Sequence, residues 1–191
     1  MLFSMGLGSR FSKAFEKQIV EYFILTELLL SIFVSFSAII SYLVFGFTDN
    51  SWIVIYLMSI AIGLLIGLEI PFATRINDNF EALKTNISSI LEKDYYGSLI
   101  GGLFFAFIGL PYLGLTYTPF VLGLLNFLVS FWLFRVLKDY IKPSWRKVLN
   151  VVYGLVGALL LLGFIYSKPI LTFGEQAKYK DKVIFQKQTK Y

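Results

Sequence analysis

The 191 residues contain no cysteine and no histidine. A disulfide framework is therefore excluded, and so is a Cys- or His-liganded metal site. No Ser-His or Cys-His nucleophile pair can form. A two-histidine non-haem iron centre is equally ruled out. Charge is scarce as well, at 15% of residues. A soluble domain of this length needs more polar surface than that to cover itself.

What replaces charge is hydrocarbon. Hydrophobic residues make up 57% of the chain, Phe alone occurs 20 times, and the mean hydropathy is +0.73. Long stretches carry no charge at all, and the Lys and Arg residues cluster between them. This is the pattern of an all-α, polytopic membrane bundle. The net charge of +5 then reflects cytoplasmic loops and anionic headgroups, with the lipid bilayer as partner, and no nucleic acid.

The apolar runs predict about five membrane helices filling residues 19–166. They lie within 19–47, at 52–73, at about 95–110 ending at Pro111, at about 118–137 and at about 147–166. Between the second and third, apolar residues at Ile76, Phe80, Leu83, Ile87, Ile90 and Leu91 fall at helical spacing. With Asp78 as N-cap and Glu81 after it, 79–92 reads as one amphipathic helix in the membrane interface. Lys and Arg alternate between the loops and place 1–18, 74–94 and 138–147 in the cytoplasm. The chain is thus expected to be multi-pass in the cell membrane, inner or plasma. Five spans put the tail 167–191 outside, against the sense of its six lysines. Within that tail KDKVIFQKQTKY alternates apolar and polar residues and reads as a short β-like basic strand.

Polar residues inside apolar spans are costly and mark interiors or cavities. Glu27 lies near the cytoplasmic end of the first span and Glu69 near that of the second. Antiparallel neighbours would bring them to one depth. Either they form a site for a cation such as an amine, or each sits at headgroup level, capped by water or a lysine. Asp94 opens the third span. Asn126, in the fourth, is expected to hydrogen-bond between helices. Gly63 with Gly67 and Gly97 with Gly101 are spaced four apart, so they can let helix backbones approach closely. None of these residues is a catalytic or metal site, and no cofactor is expected in this chain.

Four segments resemble the membrane-embedded spermidine synthases, the polyamine aminopropyltransferases with an N-terminal multi-span domain. Phe3 to Ser9, FSMGLGS, is similar to that family's end of an early membrane helix. Phe23 to Leu30, FILTELLL, resembles the next helix with its intramembrane Glu. Gly67 to Pro71, GLEIP, resembles a G-x-E-x-P segment. Asp94 to Gly114, DYYGSLIGGLFFAFIGLPYLG, with GLLN at 123–126, is the most specific likeness. VIFQKQTKY resembles the first strand of the transferase domain.

The resemblance implies a fragment of the membrane domain, cut at both ends, of a protein that transfers an aminopropyl group from decarboxylated S-adenosylmethionine to putrescine. The 191 residues hold neither the glycine-rich nucleotide loop nor the acidic set which that reaction needs. Polyamine is the partner the resemblance suggests. The competing reading is a small polytopic transporter, or half of one, for a cation or amine, with Glu27 and Glu69 as its site.

Overall fold

The computed structural model describes residues 1–48, 50–78 and 83–178. Six helices account for almost all of them: α1 (Leu2–Phe11), α2 (Ile19–Phe47), α3 (Ser51–Asn77), α4 (Leu83–Phe104), α5 (Gly114–Val136) and α6 (Pro143–Lys178). A π-helical segment, Phe105–Leu113, joins α4 to α5. No strand occurs among the described residues. Four stretches are long and apolar enough to cross a membrane: Ile19–Phe47, Ser51–Asn77, Thr85–Val136 and Pro143–Ile170. The third is 52 residues long and folds back on itself at Gly114. The chain is a membrane protein, an all-α bundle of alternating helices.

The core lies between α2, α5 and α6. Leu149, Tyr153, Val156 and Leu160 recur at helical spacing on α6 and meet Ile24 and Leu28 of α2 and Phe134 of α5. The fully buried Ile141, from the short link before α6, closes the cluster. Cross-contacts fix the helix directions. Gly123 abuts Ser35 and Asn126 reaches Glu27, so α5 runs against α2. Glu21 meets Lys142 and Phe36 meets Gly163, so α6 runs with α2.

Helix α1 is short but tightly seated. It lies parallel to α3, with Gly8 against the Leu64 carbonyl and Met5 against Gly67. At its end the Arg75 guanidinium donates to the Ser12 and Phe15 carbonyls, both at 2.9 Å, and to the Ser12 hydroxyl at 3.1 Å. The Ser12 carbonyl also accepts from the Phe15 N–H at 3.2 Å, so Arg75 adds its bonds to the closing turn and ties the terminus to α3. Gln18 then adopts a left-handed conformation (φ 60°), and the chain turns into α2.

Three expectations change. In place of a separate interfacial helix over 79–92, the described part of that segment is the first half of α4, which runs on unbroken to Phe104. Asp78 closes α3 as its C-cap. Residues 79–82 lie outside the described residues. The third span does not end at Pro111: the chain stays helical through it in the π-helical register. The wider turn of a π-helix accommodates a residue that has no N–H to give. The reversal falls instead at Gly114, whose φ of 69° is open to glycine without strain. Finally α6 continues beyond 166 to Lys178, so the tail begins as helix. Lys168 places its ammonium 5.6 Å from the Tyr117 ring centre, which settles the first charge after the apolar run. The β-like stretch around Val183 to Phe185 lies outside the described residues.

Candidate functional site

Glu27 is eight residues in from Ile19, and Glu69 eight residues short of Asn77. At 1.5 Å per residue each carboxylate sits about 12 Å inside the basic ends of its helix. Because α2 and α3 run antiparallel as neighbours, the two reach the same depth. Glu27 is buried, with 6% of its surface exposed, while Glu69 is partly buried. The two carboxylates thus stand on neighbouring, antiparallel helices at one level, while Asp94 lies on α4, the next helix along the chain. Among the described residues no three carboxylates lie close enough to hold a metal ion between them.

The wall behind Glu27 is polar and tied together. The Asn126 amide of α5 donates to the Glu27 carbonyl at 2.9 Å and to the Ser31 hydroxyl at 3.2 Å. Ser31 in turn donates to that same carbonyl at 2.8 Å. Asn126 is thus the interhelical bond foreseen from its place in an apolar span. One turn along α5, Ser130 shares a buried 2.7 Å hydrogen bond with the Tyr153 hydroxyl of α6. The two bonds hold α5 to both neighbours at the depth of the carboxylates.

The two glycine pairs differ. Gly63 and Gly67 are buried under α1, where a side chain would strike Ser4 or the Met5 main chain. A Cβ on Gly97 or Gly101 would meet no atom within 4 Å. Asp94, beside that second pair, is exposed.

Several residues now prominent carried little signal in the sequence. Glu21 is buried and accepts the Lys142 backbone N–H at 3.1 Å. Its carboxylate thereby meets the approach to α6, where a free N–H favours an anion. Asn86 is fully buried and donates to the Thr74 carbonyl at 2.8 Å and the Asp78 carboxylate at 2.6 Å, while accepting from Asn77 at 2.9 Å. It pins the start of α4 to the end of α3. The one available hint was an Asn in a stretch otherwise dominated by charged and apolar residues.

Comparison with known proteins gives a consistent set of relatives. The chain is 42% identical over 194 residues to polyamine aminopropyltransferase 2 of Aquifex aeolicus. It is 39% identical over 190 residues to the polyamine aminopropyltransferase of Leptospira interrogans. It is 32% identical over 197 residues to that of Oceanobacillus iheyensis. All three alignments take in 100% of this chain and 37–38% of the relative, so the chain spans well under half the length of the curated proteins it matches. No family model matches the chain. No solved structure matches it.

Proposed function

We propose, from the premise that this chain is related over its whole length to the polyamine aminopropyltransferases, that it serves as the multi-span membrane domain of such a protein in the cell membrane. In this reading it holds a polyamine cation at the cytoplasmic ends of α2, α3 and α4, close to where aminopropyl transfer from decarboxylated S-adenosylmethionine takes place. The relatives carry the family part of the reading. What supports the ligand part of the reading is the shared depth of two intramembrane carboxylates, Glu27 and Glu69, on the neighbouring helices α2 and α3. A carboxylate at the bilayer centre costs about 2.5–3.5 kcal/mol even on the lenient insertion scale. Two of them at one depth are readily balanced by a cation that carries charges along its length. Putrescine and spermidine have that form.

The described residues contain no group arranged to bind the nucleotide-like donor, so the purified chain alone should form no methylthioadenosine from decarboxylated S-adenosylmethionine and putrescine. Methylthioadenosine above background would contradict that assignment. The role in the cell is tested by deleting the gene in its native host. Cellular spermidine should fall, and the membrane fraction should lose aminopropyltransferase activity. Unchanged spermidine and unchanged membrane activity in the deletion strain would overturn the reading. Uptake of labelled putrescine by proteoliposomes holding the chain alone would favour the transporter reading instead.

A further inference from the structure

The link between α1 and α2 borders an open cavity of about 360 Å³, lined by Ala14, Phe15, Glu16 and Lys17 of the link and by Tyr22 of α2. Its walls are held by three other elements. Phe15 packs on Tyr22 with ring centres 4.7 Å apart, and meets Phe72 of α3 edge-on at 5.8 Å. Phe72 is fully buried. Tyr22 in turn meets Trp145 of α6 at 6.1 Å. The Arg75 guanidinium holds the Phe15 carbonyl from α3. Gln18 closes the corner, and it is the one non-glycine residue with positive φ among the described residues (φ 60°). Such a conformation persists where its surroundings impose it, and it clusters at functional sites.

Both signs of charge line this cavity, and neither is matched. Glu16 and Lys17 are exposed on its wall. The only ion pair among the described residues joins Arg146 to Asp139, which leaves both unpaired there. A carboxylate beside an ammonium fits a ligand that is itself zwitterionic, its anion on Lys17 and its ammonium on Glu16. The level of the cavity selects among such ligands. Tyr22 lies three residues into the span that opens at Ile19, about 4.5 Å along the axis, and residues 14–17 precede that span. Tyr and Trp gather at this headgroup level. The volume is at the small end of ligand sites, which run to about 300–1,000 Å³. It suits a headgroup whose acyl chains stay in the bilayer.

We propose that this cavity between α1 and α2 binds the headgroup of phosphatidylethanolamine. Lys17 takes the phosphate, Glu16 accepts the N–H groups of the ethanolamine, and Phe15 and Tyr22 cover the carbons between them. A choline headgroup has no N–H to give Glu16. It would need open aromatic faces around it instead, and Phe15 and Tyr22 already pack on one another. Phosphatidylglycerol brings a negative charge and no ammonium, so Glu16 opposes it. The bound lipid ties the link to one leaflet and so fixes α1 and α2 at a common depth. The proposal does not depend on the amine reading, since neither Glu27 nor Glu69 takes part in it.

Native mass spectrometry of the full chain, released from micelles holding equal amounts of phosphatidylethanolamine, phosphatidylcholine and phosphatidylglycerol, reads which lipid is retained. Phosphatidylethanolamine should be kept about tenfold over either of the others, the worth of one hydrogen bond to a charged group. Glu16→Gln should bring it down to the level of phosphatidylcholine, and Lys17→Gln should lower retention of both. The two positions are exposed, so both variants should fold, with the native far-UV circular dichroism spectrum as the check. Equal retention of the three lipids by the native chain overturns the proposal. So does a preference for phosphatidylethanolamine that survives Glu16→Gln, because the lipid then binds elsewhere. Free phosphoethanolamine at the same concentration should leave the lipid in place. Displacement by it would assign the cavity to a soluble zwitterion and overturn the lipid as occupant.

Discussion

Gly63 and Gly67 on α3 have the same spacing as Gly97 and Gly101 on α4, and the two pairs meet opposite fates. The first is covered by α1, whose own Gly8 completes a backbone-to-backbone approach. The second borders open space. Small residues four apart permit close packing, but they do not produce it. What differs between the two pairs is whether another helix lies over them. The face of α1 seated on α3 offers Met5, Gly8 and the Ser4 hydroxyl, which is satisfied by the Met1 carbonyl at 2.7 Å. The face of α4 at Gly97 and Gly101 has no helix over it among the described residues, and Asp94 beside it is exposed.

The sharpest way to break this comparison is to fill both sides alike. Gly67→Leu must displace the Met5 main chain and should cost about 3 kcal/mol, the upper part of the usual range for overpacking. Gly101→Leu should cost nothing and gain up to about 0.8 kcal/mol from helix propensity. Equilibrium unfolding in mixed detergent micelles measures both. Equal losses at the two sites would mean that α4 is packed after all.

A second, smaller effect is expected where α1 ends. Arg75→Ala removes three hydrogen bonds from a charged donor and should cost about 2 kcal/mol. It should also free α1, so that protease cleavage between residues 11 and 18 accelerates. Unaltered stability and unaltered cleavage would show that the glycine contacts alone hold α1. Smaller again is Asn126→Ala, expected to cost about 1 kcal/mol, the scale of hydrogen bonds between membrane helices.

Much of this was legible from the residues. Long uncharged runs fix α2, α3 and α5, since only a helix satisfies its own backbone in hydrocarbon. The shared depth of Glu27 and Glu69 followed from their distance to the basic helix ends. Asn126 was readable because an amide in an apolar span needs a partner. Helix α4 was misread as two pieces because Lys84, Glu92, Lys93 and Asp94 lower the local hydropathy, while backbone continuity is indifferent to it. Pro111 signalled a stop because the reading assumed an α-helical register. The covering of Gly63 and Gly67 by α1 was out of reach: FSMGLGS resembles the end of a membrane helix and Arg10, Lys13 and Lys17 place 1–18 in the cytoplasm, but neither signal names α3 as its neighbour. Glu21 and Asn86 make bonds to residues 121 and 12 positions away, and no local pattern announces them.

The central claim is that the intramembrane carboxylates Glu27 and Glu69 bind an amine. Isothermal titration of spermidine into the purified chain in nanodiscs of zwitterionic lipid tests this directly, with Glu69→Gln and the Glu27→Gln/Glu69→Gln pair alongside. Saturable binding by the native sequence is expected, weakened about tenfold in Glu69→Gln, as loss of one charge-assisted contact of about 1.4 kcal/mol implies, and lost in the double variant. Binding that is equally strong in all three proteins, or absent from the native one while the bundle remains folded, would contradict it.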